Sequence, residues 1–368
     1  MHRYLWDARV TEAGFSPYAF APGDPALDGI APELRPRVAH PNIPTVYPPV
    51  AQAAFRVAGG SRGGMSSLKA LFSLADLAVV LLLCRAGGGN RFAAALYAFH
   101  PLPIMETAGQ GHLDSLGVAL LLAALAYVRA RRAVAAGLAF ALSVLTKYVA
   151  FVAILPLWRR GRGRFLAAFL FAGAAIWLAA SREASPIGGL GQFATRWDFN
   201  SLLYPAVARG MEVLDLPARA KEIFLALKER LDHPAWTQSV FPFFYSAFFA
   251  RAALGLLLLA ALLGIARRRL APEDATFASL AALLLLSPTL HPWYVLWVLP
   301  FAALHREPAF LYLSFAVSFS YLLLYPLPGF PPALVTTIEY VPFLFLLTRT
   351  LLRSSALPSA EGGGEGIP

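Results

Sequence analysis

The chain has 368 residues, 58% of them hydrophobic and 14% charged, with a formal net charge of +10. Soluble domains carry roughly 25% charged residues, so an ordinary soluble globule is excluded, and the 13% aromatic content excludes a disordered chain. The positive charge is broken into short clusters between apolar runs, a pattern of membrane topology and not of nucleic-acid binding.

Taken in order, residues 1–65 are rich in proline from Pro17 to Pro49 and predict an ordered or extended loop, with a short helix over 3–13. The opening Met1-His2-Arg3-Tyr4-Leu5-Trp6-Asp7 starts abruptly inside what reads as a finished motif, so a transmembrane helix is expected ahead of it. Residues 66–353 form the membrane domain. Its apolar runs lie near 66–84, 92–105, 113–129, 133–158, 164–181, 243–266, 275–288, 293–305, 309–326 and 335–352. Three of them (92–105, 275–288 and 293–305) are short for a hydrocarbon core of roughly 30 Å. Polar backbone flanking such short helices must be buried in protein or face a water-filled recess. The lone Cys84 sits in the first run as a small packing residue.

Arginine sets the orientation. Clusters at Arg85 and Arg91, Arg129 to Arg132, Arg159 to Arg164, Arg267 to Arg269, Arg306, and Arg349 with Arg353 all fall on one side if basic loops stay cytoplasmic. Only 133–158 breaks simple alternation, because it is basic at both ends. It therefore reads as two half-helices with Lys147 at an outward tip; the alternative is one crossing of about 26 residues, roughly 39 Å long. The outside then receives 1–65, 106–112, the tip, a large loop over 182–242, 289–292 and 327–334. That loop carries a polar helix over 212–232, and 354–368 reads as a disordered tail. The fold class is an all-α polytopic membrane protein of about nine crossings plus the half-helix hairpin.

Ionisable groups at membrane depth cost roughly 2.5–3.5 kcal/mol on insertion scales, so each invites a functional reading. Glu106, His112 and Asp114 fall within nine positions around two glycines, which suits a tight turn holding a polar ligand. His-x-Asp alone does not define metal coordination, although Asp114 also suits a helix start. Lys147 is one of four lysines and suits a phosphate; snorkelling is the alternative. Arg251 near the outer surface has the same two readings. His291, between Pro288 and Pro292, can line a site, while Trp293, Tyr294 and Trp297 fit either the site or an interfacial aromatic belt. Asp76 and Glu339 read as helix-packing groups or as pocket acids. Trp197 and Asn200, in Arg196-Trp197-Asp198-Phe199-Asn200, offer a ring beside amide and acid, which suits a sugar.

Five segments together resemble the polytopic GT-C glycosyltransferases, and within them bacterial relatives of the polyprenol-phosphate-mannose-dependent mannosyltransferases. They are Arg3-Tyr4-Leu5-Trp6-Asp7-Ala8-Arg9-Val10 with Asn42-Ile43-Pro44-Thr45-Val46-Tyr47-Pro48-Pro49, Gly111-His112-Leu113-Asp114, Thr146-Lys147-Tyr148, and His291-Pro292-Trp293-Tyr294. The resemblance implies a site on the extracytoplasmic face of the bacterial inner membrane, a polyprenyl-phosphate sugar donor, a glycan or lipid acceptor, and inversion at the anomeric carbon. It implies an aspartate in the first external loop as base or acceptor-positioning group. Asp7 matches the second acid of that motif; the leading acid would precede Arg3-Tyr4. The remaining roles follow from this chemistry: Lys147, Arg251 and His291 on the donor phosphate, and Glu106, His112, Asp114, Trp197, Asn200 and Tyr294 on sugar or acceptor, with a divalent metal as an open alternative and no nucleic acid as partner. A flippase for a lipid-linked saccharide and a non-catalytic assembly subunit are the rival readings.

Overall fold

A computed structural model describes residues 1–86, 91–231 and 235–356. Every regular element among the described residues is helical, with no strand and a single isolated bridge between Phe199 and Thr289. Helices α1 (His2–Glu12) and α2 (Pro49–Gly59) belong to the amino-terminal loop. The bundle begins with α3 (Met65–Ala86), α4 (Phe92–Ala98) and α5 (Pro101–Pro103), which runs into a π-helical turn at Ile104–Gly109. It continues through α6 (Asp114–Arg129), α7 (Ala133–Thr146) and α8 (Ile154–Ala180). The large loop holds α9 (Gly188–Arg196), α10 (Tyr204–Val213) and α11 (Leu216–Arg230). Helices α12 (Ser246–Arg267), α13 (Pro272–Leu286), α14 (Leu299–His305), α15 (Pro308–Ala316), α16 (Tyr321–Leu324) and α17 (Pro332–Ala356) complete it.

Four helices are long and apolar enough to cross a membrane alone: Met65–Ala86, Arg162–Ala180, Ser246–Arg267 and Pro332–Arg353. The bent pair Pro101–Gly109 and Asp114–Arg129 passes jointly, with 119° between its halves. Leucines of α3 and α12 such as Leu74, Leu77, Leu256 and Leu259 stay exposed on the bundle's outside. An apolar side chain left exposed along a spanning helix is where lipid, not protein, is its neighbour. The protein is thus an all-α polytopic membrane protein.

Cross-helix contacts sort the bundle into two ends. At one, Arg129 pairs with Glu273, His305 with Asp274, Arg159 donates to the Arg268 carbonyl, and Arg306 covers the Phe92 ring. At the other lie Asp114, Lys147, Trp297, His112, His291 and Glu106. The chain reverses at Lys147, whose extended backbone (φ −155°, ψ 127°) stops α7. A 3-10 segment, Tyr148–Ala153, leads back to Arg159 at the basic end. Arg162, at φ +51° and ψ −146°, then breaks α8 so that its second part runs back towards the other end. Ring contacts fix these directions: Phe140 meets Phe165 near the start of that limb, and Tyr148 meets Trp177 near its end.

Proline shapes the last helix. Pro342 has no N–H for the Ile338 carbonyl one turn back, and the Tyr312 hydroxyl donates to that carbonyl instead, at 2.6 Å. The polar helix expected over 212–232 is α11, separated from α10 at Asp215, which takes a left-handed conformation (φ +50°). Helix α17 extends to Ala356; residues 357–368 of the expected tail lie outside the described residues.

Candidate active site

The site is built on the turn between the π-helix and α6. Gly111 adopts φ +74°, a conformation that a side chain would strain, and the turn it permits delivers Asp114 to the mouth of α6. Asp114 is fully buried. Its Oδ1 accepts from Lys147 Nζ at 2.5 Å and from Trp297 Nε1 at 2.7 Å, while its Oδ2 is buried with no hydrogen-bond donor from the protein. The Lys147 ammonium also sits 4.3 Å from the centroid of the Tyr294 ring, a cation–π contact. Three separate chain segments therefore meet on one carboxylate. Gly117, one turn into α6, makes this possible: a Cβ there would stand 2.5 Å from the Trp297 indole.

A column of four rings flanks the ion pair. His112 stacks on Trp293 with centroids 3.9 Å apart, Trp293 on His291 at 4.3 Å, and His291 on Phe199 at 4.6 Å. The His112 Nε2 lies 3.5 Å from Glu106 Oε2, and the Glu106 carboxylate accepts the Tyr321 hydroxyl at 3.0 Å. Burial, reinforced by the nearby Lys147 charge, pushes His291 down to about 4. The same two causes hold His112 well below the ordinary imidazole range. Both shifts favour the neutral imidazole, and the Lys147 charge is one of their causes.

The large loop is fastened to the column. Phe199 donates its N–H to the Pro288 carbonyl and accepts from Leu290, Thr289 and Arg251 both donate to the Trp197 carbonyl, and Asn200 Nδ2 donates to Glu339 Oε2 at 2.7 Å. Asn200 holds φ +46°, which its short polar side chain tolerates, and Tyr340 donates to its carbonyl. Glu339, read from sequence as either a packing pair or a pocket acid, thus anchors the loop through Asn200.

The structure brings Lys147, Asp114, Tyr294, His112, Glu106 and His291 together, with Asn200 and Trp197 one strand of loop away. It keeps two expected site residues out of that cluster. Asp7 is fully buried, and its carboxylate accepts from Arg3 Nε at 2.8 Å, Thr45 Oγ1 at 2.6 Å and Gln52 Nε2 at 2.9 Å. It ties α1 to the 42–52 segment. The Arg251 guanidinium is engaged by the Tyr204 hydroxyl and the Ala247 and Trp197 carbonyls, so it reaches the site through the loop. Asp76 accepts the Tyr97 hydroxyl at 2.6 Å and pins α3 to α4. Trp297, Tyr321, Arg3, Thr45 and Gln52 were not singled out by sequence reasoning for these roles. A tryptophan deep in an apolar run is a signal for Trp297, since a buried indole N–H seeks an acceptor.

Among the described residues no three His, Cys, Asp or Glu side chains gather as a metal-binding set. Buried polar atoms without a protein partner do gather at this end: Asp114 Oδ2, His291 Nδ1, Arg3 Nη2, Asn200 Oδ1 and Glu339 Oε1. Unpaired buried groups are costly, and a ligand rich in hydroxyl and phosphate oxygens has the complementary donors and acceptors.

A membrane bundle that concentrates carboxylates, amides and aromatic rings around one buried cation has the equipment of a membrane-embedded sugar transferase. Residues 1–159 match the family model described as Alpha-(1->6)-mannopyranosyltransferase, N-terminal domain, and residues 231–346 match the MptB C-terminal domain. The chain belongs to this mannosyltransferase family, of the GT-C type. No curated protein and no solved structure matches it.

Proposed function

We propose that the protein transfers mannose from a polyprenyl-phosphate donor to a glycan or lipid acceptor on the extracytoplasmic face of a bacterial inner membrane, with inversion. The acceptor hydroxyl oxygen attacks the anomeric carbon, the bond from that carbon to the phosphate oxygen breaks, and the bonding pair leaves with the polyprenyl phosphate. The hydroxyl proton passes to a carboxylate. The observation that carries this reading is the Asp114–Lys147–Trp297 junction beside the His112–Trp293–His291 column. Lys147 stabilises the leaving phosphate as its charge develops, with His291 as a neutral hydrogen-bonding partner. Asp114 Oδ2, the unpaired oxygen beside that cation, receives the acceptor hydroxyl or its proton. Glu106, His112, Asn200 and Tyr294 line the sugar. Asp7 is an acceptor-positioning residue acting through Arg3, and Arg251 and Trp197 set the loop.

The test is transfer from radiolabelled polyprenyl-phosphate mannose to a panel of acceptors by the purified, reconstituted protein. Loss of transfer in Lys147→Ala and Asp114→Asn with donor binding retained in Asp7→Asn supports the enzyme and this division of roles. Movement of intact donor across vesicles without transfer overturns it in favour of a flippase, and neither transfer nor movement favours an assembly subunit.

A further inference from the structure

The basic end of the bundle contains a cavity of about 430 Å³ between the break in α8 and the α12–α13 connection. Five arginines line it: Arg159, Arg160, Arg162, Arg268 and Arg269. Positive-inside topology explains why arginines lie at this end. It does not explain why two clusters about a hundred positions apart in the chain close around one cavity with no carboxylate in its wall. The two acids nearest in sequence are taken elsewhere, Glu273 by Arg129 at 3.4 Å and Asp274 by His305 at 3.3 Å. None of the five makes an ion pair among the described residues, and Arg159 donates to the Arg268 carbonyl, which fixes the two walls together. Five like charges around one recess repel one another, and an anion seated among them relieves that repulsion.

The remaining wall identifies the anion. Pro156, Ile265 and Leu270 are apolar, and both flanking helices expose apolar side chains outward, Leu263 on α12 and Leu170 on α8 among them. Trp158, next to Arg159, is 43% exposed, the position of an interfacial ring. The recess is thus at head-group level and flanked by hydrocarbon. We infer that it binds the phosphate head of an anionic phospholipid of the cytoplasmic leaflet, a lipid site at the end of the bundle opposite the mannosyl-transfer site. Guanidinium forks match phosphate oxygens two at a time, which an ammonium does not.

Native mass spectrometry of the full chain from micelles of mixed phosphatidylcholine and phosphatidylglycerol tests this. The wild type is expected to retain phosphatidylglycerol over phosphatidylcholine, and millimolar inorganic phosphate is expected not to displace it. R160K/R268K/R269K keeps every charge, and with it the topology signal, yet should lose the anionic lipid by about fivefold or more. R353Q, on the last turn of α17 outside the cavity, should retain it. No preference for phosphatidylglycerol in the wild type overturns the inference, as does equal retention in the triple lysine variant. Displacement by inorganic phosphate alone also overturns it, in favour of a site for free anions.

Discussion

The two ends of the bundle use charge in opposite ways. At the site end, Lys147 and Asp114 are enclosed, with side-chain exposures of 15% and 0%, and Asp114 has a second donor in Trp297. At the basic end, Arg129 faces Glu273 across 3.4 Å, with 54% and 17% of the two side chains exposed. An enclosed ion pair is expensive to break, because the survivor is left as an uncompensated charge. An exposed one is screened by water and contributes roughly 0–1 kcal/mol. The difference teaches that the arginines at one end are held by exposed, water-screened contacts, whereas Lys147 at the other is held by an enclosed carboxylate.

The comparison can be attacked directly, beginning with the largest effect. Lys147→Ala is expected to lower mannosyl transfer by about 100-fold or more and to destabilise the protein by about 3–5 kcal/mol. Adding Asp114→Asn should return much of the stability and none of the activity. If activity returned as well, the pair would be structural. Unfolding midpoints in detergent together with initial rates separate the two. Next, Gly117→Ala forces the Trp297 indole away from Asp114, since the added carbon would stand 2.5 Å from the ring. A displacement of about 1 Å can cost about 100-fold in rate, so transfer should fall by up to that factor while the fold survives.

A smaller effect sits on His291. Its folded-state value near 4 lies below the ordinary 6.5, so protons bind the unfolded chain preferentially, and stability is lost as pH falls from about 6.5 towards about 4. His291→Gln should flatten that acid limb in unfolding curves recorded from pH 7.5 to 4.5; an unchanged limb would assign it to other groups. Smallest of all is Arg129→Gln, expected to shift stability by less than about 1 kcal/mol. A loss comparable with that of Lys147→Ala would erase the contrast between the ends.

Much of this architecture was legible in the chain. Arginine spacing separated the two ends, and of the two readings of the doubly basic 133–158 run, a half-helix pair or one long crossing, the chain takes the reversal at Lys147. The motif residues His112, Asp114, Lys147 and His291 do converge. What stayed hidden was pairing across long separations. Nothing local tells that Asp114 meets Trp297, 183 positions away, or that Asn200 meets Glu339, 139 positions away. Asp7 marks the same limit, since its sequence neighbours give no sign that Thr45 and Gln52 close over it. A carboxylate's identity is written in the sequence, whereas its accessibility is decided by whatever folds on top of it.

The ring column carries a consequence for recognition. Both faces of the Trp293 indole are covered, one by each imidazole, and the Tyr294 ring lies under the Lys147 ammonium. A pyranose entering here finds no bare indole plane on which to lay its C–H face. Trp293 would meet it only through its rim, where the ring N–H is a donor, so discrimination between epimers along this wall would rest on the direction of individual hydroxyls and not on the flatness of the sugar.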